Sequence, residues 1–213
     1  MSCRLSPDFT FYIPIAEKNG LITDIGKWVE SQAIQDCILF NTLSNKLIQV
    51  SVNTSPLEID RSGEWVGGWI QASKQYNLPA HSILIEVTEN TLMGTDAEFK
   101  RQLKHLSEFQ IDVAIDDFGV GYSSLAYLQR LDIDILKIDR SFIQDIETNE
   151  NSIALVKAII TMAHNLNVEV VAEGVEDQKQ YLLLKQLNCD YIQGYFFSKP
   201  VSRQEFVKYF IDK

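Results

Sequence analysis

Apolar positions change period several times along this chain, and the changes mark out its elements. Residues 21–40 carry them at helical spacing, through Ile22, Ile25, Trp28, Val29, Ile34 and Ile38, with Thr23 or Asp24 as the cap. Residues 46–52 read as a strand running out into Asn53-Thr-Ser-Pro56. A helix is predicted over 64–76, where Trp65, Trp69 and Ala72 share a face, although Gly67-Gly68 weakens it. Strands and helices then alternate. The strands fall at 83–89, 112–117, 133–139, 168–173 and 191–197, and the helices at 97–109, 123–131, 151–166, 178–187 and 203–211. Residues 9–15, Phe-Thr-Phe-Tyr-Ile-Pro-Ile, fit a short strand or the lead-in to a helix.

Repeated strand–helix units with short links predict a parallel sheet covered by helices. Six strands suit an open doubly wound sheet, whereas a closed (β/α)8 barrel has eight strands and about 250 residues. No linker, low-complexity tract or repeat divides the 213 residues, so one domain over 1–213 is expected, with 1–13 irregular or a remnant of a first strand.

The strand ends favour the barrel, because polar side chains recur there strand after strand. They are Asn53; Glu86 and Glu89; Asp116 and Asp117; Lys137 and Asp139; Glu173 and Glu176; and Gln193 before Gly194. Lys137 and Asp139 share one strand face, Leu136 and Ile138 the other. A structural ion pair would account for Lys137 and one aspartate. It would not account for oxygen-bearing groups at six strand ends, and barrels carry catalytic groups at that face.

Carboxylates and an amide oxygen suit Mg²⁺ or Mn²⁺ rather than a soft metal. Two such ions about 4 Å apart clamp a phosphodiester, a further carboxylate can deprotonate water, and a lysine can hold that water. Phosphodiester hydrolysis fits this inventory, but sugar isomerases and enolising enzymes use similar groups on barrels. Gly119-Val-Gly121 matches no Walker loop, and Asp117-Phe-Gly119 has no other kinase element near it.

Composition narrows the partners. A net charge of −10 argues against DNA or RNA binding, which needs a basic footprint. No apolar run is long enough for a membrane span, and the first residues do not read as a signal peptide. Three widely spaced cysteines without zinc spacing point to free thiols and a reducing, cytoplasmic setting.

Six stretches together resemble the EAL domain family, bacterial phosphodiesterases that linearise cyclic di-GMP. They are Val52-Asn-Thr-Ser55, Glu86-Val-Thr-Glu89, Asp116-Asp-Phe-Gly-Val-Gly-Tyr-Ser-Ser-Leu125, Leu136-Lys-Ile-Asp139, Ala172-Glu-Gly-Val-Glu176 and Gln193-Gly-Tyr195, in the family's order from about Pro14 onward. The resemblance implies a modified TIM-like (β/α) barrel, incomplete here with about six of eight strands. It implies Asn53, Glu86, Asp116 and Asp117 as ligands of Mg²⁺ or Mn²⁺. Lys137 would hold the attacking water, and Glu173 would be the general base. Glu89 would anchor the loop 118–123, with Asp139, Glu176 and Gln193 as further loop or substrate contacts.

Two departures qualify this. No Glu-Ala-Leu sequence is present, and the family's first two strands would have to precede Pro14. Val120 stands where the family commonly has Thr. The expectation is therefore hydrolysis of cyclic di-GMP to linear pGpG, weakened or lost without the first-strand Glu. The alternative is a non-catalytic cyclic di-GMP receptor or a protein-binding adaptor. Two missing strands would leave sheet edges, which predicts either cover by residues 9–15 or a homodimer. A sensory or GGDEF-type partner domain is expected from the same resemblance.

Overall fold

The computed structural model describes residues 9–59, 63–92, 97–121 and 128–211. Its elements in chain order are α1 (Phe9–Asn19), α2 (Ile22–Leu43), β1 (Val50–Asn53), α3 (Glu64–Tyr76), β2 (Ile83–Thr88), α4 (Glu89–Leu92), α5 (Ala97–Glu108) and β3 (Asp112–Phe118). They continue with β4 (Ile135–Ile138), a 3-10 turn (Arg140–Phe142), α6 (Glu150–Asn165), β5 (Glu169–Ala172), α7 (Gln178–Gln186), β6 (Tyr191–Ile192) and α8 (Arg203–Phe206), which runs into a π-helical end (Val207–Ile211). The described residues form two compact units. One is drawn from Met1–Val87, Asp96–Asp112 and Pro200–Lys213, the other from Thr88–Thr95 and Val113–Lys199.

In the first unit β1 and β2 pair in parallel, from Val50 opposite Ile83 to Asn53 opposite Glu86. Val50, Val52, Ile83 and Ile85 are buried, as are Ile34, Cys37 and Phe40 of α2. Burying such side chains is the main stabilising term of the unit. The Gly67-Gly68 pair leaves α3 intact. A Cβ on Gly68 would lie 3.2 Å from the Glu30 carboxylate of α2, so the bare backbone permits a close helix approach. The end of the chain joins this unit: Phe206 packs on Phe40 with ring centroids 4.7 Å apart, and Arg203 pairs with Asp36.

Residues 9–15 form neither a remnant strand nor an irregular cover. Phe9–Asn19 is helical, with Pro14 inside it, and the helix packs on α2. The alternating run Phe-Thr-Phe-Tyr-Ile imitates a strand, but the spacing that buries Ala16 and half-buries Ile13 and Glu17 is helical. Residues 1–8 lie outside the described ones, as does most of the helix expected over 123–131.

In the second unit β3, β4, β5 and β6 follow one another in parallel, each paired with the next. Val113, Ile115, Leu136, Ile138, Val170 and Ala172 are buried on one face, and Ala114 and Ile135 on the other, as a helix-covered parallel sheet requires. β6 is shorter than expected. A Cβ on Gly194 would run into the Val175 backbone, and Phe196 N–H donates to the Val175 carbonyl at 3.0 Å, so the chain turns instead of extending. Phe196 then stacks on Tyr181 with centroids 5.4 Å apart.

Acidic residues at the beginnings of strands close backbone gaps. Asp134 accepts from Val113 N–H at 2.8 Å, and Asp190 from Val170 N–H at 2.8 Å. Asp112 accepts from the Gln49 amide at 2.7 Å and contacts His81 Nδ1 at 2.7 Å. These carboxylates have structural work.

Candidate catalytic and metal-binding site

β3 ends in the two adjacent carboxylates. In a regular strand Asp116 and Asp117 would project to opposite faces. Here the pairing with β4 shifts: Ile115 lies opposite Leu136 but Phe118 opposite Ile138, so β3 carries one more residue than its neighbour. Asp117 has φ 55°, in the left-handed region, and Asp116 Oδ1 accepts its N–H at 3.1 Å. This bulge re-aims the side chains. Oxygens of Asp116, Asp117 and Glu173 lie within 4.8 Å of one another.

Lys137 rises from the middle of β4 with its side chain 3% exposed. Its Nζ lies 3.1 Å from Asp116 Oδ1 and 2.8 Å from Glu173 Oε1. Glu173 follows β5, and its N–H donates to the Ile138 carbonyl at 3.1 Å, which extends the ladder by one residue and fixes the carboxylate. Such a buried cation is tolerable only because two carboxylates flank it.

Glu89 opens α4 and is buried. Its Oε2 accepts from Gly119 N–H at 2.9 Å and from Gly121 N–H at 3.3 Å. Among the described residues its Oε1 has no hydrogen-bond partner. A single carboxylate thus accepts from two backbone N–H groups of the loop that follows Asp117.

Other predicted residues have different settings. Asn53 and Glu86 belong to the first unit, opposite each other in register, with Glu86 buried and Asn53 exposed. Asp139 caps the 3-10 turn by accepting from Ser141 N–H at 2.9 Å. Burial works to raise its pKa, but hydrogen bonds from Ser141 and Arg140 and the charge of Arg140 hold it below the usual carboxylate range. Glu176 is exposed, and its N–H is held by the Gln180 side chain at 2.8 Å. Gln193 is half-buried, its main chain bonded to Ala172 and Val175.

Sequence reasoning gave no role to the glycine that follows Glu173. Gly174, directly after Glu173, has φ +71°, and a Cβ there would fall 2.5 Å from Arg140 Cβ. The signal for it was a glycine immediately after a strand-end carboxylate.

The donor set is all oxygen and therefore hard, which fits Mg²⁺ or Mn²⁺. Three carboxylates against one lysine leave an excess of negative charge that a divalent cation offsets.

Residues 6–200 match the EAL domain family, and the chain belongs to that family. It therefore has the fold of EAL (β/α) barrels, represented among the described residues by six parallel strands and their helices. It is 40% identical over 197 residues to the cyclic di-GMP phosphodiesterase NbdA of Pseudomonas aeruginosa, covering 92% of this chain and 25% of that protein. The solved PaMucR phosphodiesterase in complex with c-di-GMP superposes with a TM-score of 0.86 at 36% identity, covering 92% of this chain and 79% of that one. The manganese and c-di-GMP complex of BlrP1 from Klebsiella pneumoniae gives a TM-score of 0.74 at 29% identity, covering 84% and 46%. The chain spans about a quarter of the length of the curated relatives it matches. No described helix is long and apolar enough to cross a membrane.

Proposed function

We propose that this chain hydrolyses cyclic di-GMP to linear pGpG in a Mg²⁺- or Mn²⁺-dependent reaction. The observation that carries the reading is Lys137, buried between Asp116 and Glu173 beside the second carboxylate of the Asp116–Asp117 bulge. Asp116 and Asp117 would hold metal, with Asn53 and Glu86 as the further ligands that the family resemblance assigns. A bound divalent ion supplies Lewis-acid polarisation of the phosphodiester and acidifies water.

The chain's own residues supply the rest. Glu173 takes a proton from the attacking water. The new P–O bond forms as the P–O3′ bond breaks, and the departing oxygen is protonated from solvent. Lys137 would hold that water, and its contacts orient Glu173 and Asp116 in one network. Glu89 fixes the loop backbone at Gly119 and Gly121. Glu176 and Gln193 are proposed as nucleotide contacts, and Asp139 as a support for the turn after β4.

The relatives' names and complexes support cyclic di-GMP as the nucleotide. A cytoplasmic setting, a homodimer and a sensory or GGDEF-type partner domain belong to the same proposal. The free thiols Cys37 and Cys189 support the first of these.

Incubating purified protein with cyclic di-GMP and Mn²⁺ or Mg²⁺, with separation of the products by chromatography, tests the reaction. Linear pGpG that disappears on chelation is expected. Tight nucleotide binding without any product would instead favour the receptor reading.

A further inference from the structure

One side chain with no reactive group of its own touches the carboxylate loop. Phe142 closes the 3-10 turn after β4, and its N–H donates to the Asp139 carbonyl at 3.1 Å. A Cβ placed on Gly119 would lie 2.8 Å from Phe142 Cε2 and 3.0 Å from its Cζ. The ring therefore occupies the space that any other residue at 119 would need. Gly119 also has φ +98°, a backbone region that side chains rarely enter.

The same glycine donates its N–H to Glu89 at 2.9 Å. It is thus held twice, by a buried carboxylate on its backbone and by an aromatic ring against its Cα. Two residues earlier stands Asp117 at φ 55°, a conformation that costs energy in a non-glycine residue and persists where its surroundings enforce it. The segment from Lys137 to Phe142 is short, and the Asp139 cap stiffens it. One stretch of chain therefore carries the buried lysine at one end and the support for the aspartate loop at the other.

We propose that Phe142 is a positioning residue: it fixes Gly119, and through it the left-handed backbone of Asp117, so that the Asp116–Asp117 pair stays in reach of Glu173. The consequence for metal rests on the function proposed above, whereas the effect on the loop does not.

Amide hydrogen exchange on the full chain tests this in the wild type, Phe142→Ala and Phe142→Leu, alongside Mn²⁺ titration by calorimetry. Amides of Gly119 and Gly121 should exchange at least about tenfold faster in Phe142→Ala, with those of Ile135–Ile138 unchanged and Phe142→Leu intermediate. The Mn²⁺ dissociation constant should rise about tenfold in the same variant, the mark of a displaced ligand pair. Loop exchange that accelerates when even the wild type binds no Mn²⁺ supports the positioning role and counts against the metal reading. Unchanged loop exchange, or equal acceleration in the loop and β4, overturns the proposal. If Phe142→Ala does not fold, the same two rates in Phe142→Leu decide it.

Discussion

Lys137 is the residue on which the site's electrostatics turn. It is buried and lies within 3.1 Å of Asp116 and 2.8 Å of Glu173. Replacing it with Met leaves two carboxylates facing each other without a cation. The expected loss at neutral pH is about 3–5 kcal/mol of stability, read from urea denaturation midpoints. A Lys137→Met protein as stable as the wild type at neutral pH would refute the ion-pair assignment. Lysine and its acids were legible as candidates because each interrupts an apolar strand near its end. How Asp116 and Asp117 both reach that group was not, since adjacency in sequence would send them to opposite faces. Only the one-residue slip against β4 brings them to Glu173, and no residue type in that stretch announces a bulge. Asp139 shares the strand face of Lys137, and its carboxylate accepts from Ser141 N–H, a bond that its sequence position does not announce.

At the scale of elements, the glycines separate into those a packed backbone demands and those it merely tolerates. Gly194 passes against Val175, so Gly194→Ala should destabilise by roughly 1–3 kcal/mol or more. Gly67, inside α3 with nothing within 4 Å of the place a methyl group would take, should behave oppositely. Gly67→Ala is expected to stabilise by about 0.5–1 kcal/mol, because the unfolded chain loses freedom it need not then give up. Thermal midpoints of both variants check the pair. The turn after β1 carries a pH dependence. Glu58 accepts from Ser55 N–H at 2.8 Å, yet burial, with the nearby Glu17 and Glu30, pushes its pKa up to about 7 from the usual 4.5. Between those values the folded protein keeps a proton that the unfolded chain has released. Stability therefore falls as pH rises from 4.5 to 7, and Glu58→Gln should flatten that slope. Midpoints at about pH 5 and about pH 8 that move equally in both proteins would contradict this. Elements with a long single period, such as α2 and α6, were readable. α1 was legible only as one of two readings and β6 not at its true length, since a proline-containing alternating run and an aromatic run both imitate strands.

For the molecule as a whole, a net charge of −10 sets the terms on which an anionic dinucleotide can be held. Long-range fields oppose its approach, so local cations must carry recognition. Salt should therefore leave nucleotide binding unweakened, unlike the steep loss shown by basic nucleic-acid binders. Family membership was legible because six short motifs occur together in order, which no single motif could establish. What the motifs could not convey is the hydrogen bonding that tells structural acids from site acids. Asp134 and Asp190 close ladders at strand beginnings, whereas Asp116 and Glu173 face Lys137 at strand ends. The central claim is that this last group is a hydrolytic centre with Glu173 as its base. Single-turnover cleavage of cyclic di-GMP by the wild type and Glu173→Gln, with nucleotide affinity measured on the same samples, tests it most directly. The account predicts at least about a hundredfold loss of rate in Glu173→Gln with affinity changed by no more than a few-fold. Cleavage by Glu173→Gln at the wild-type rate, or loss of binding in proportion to rate, would contradict it.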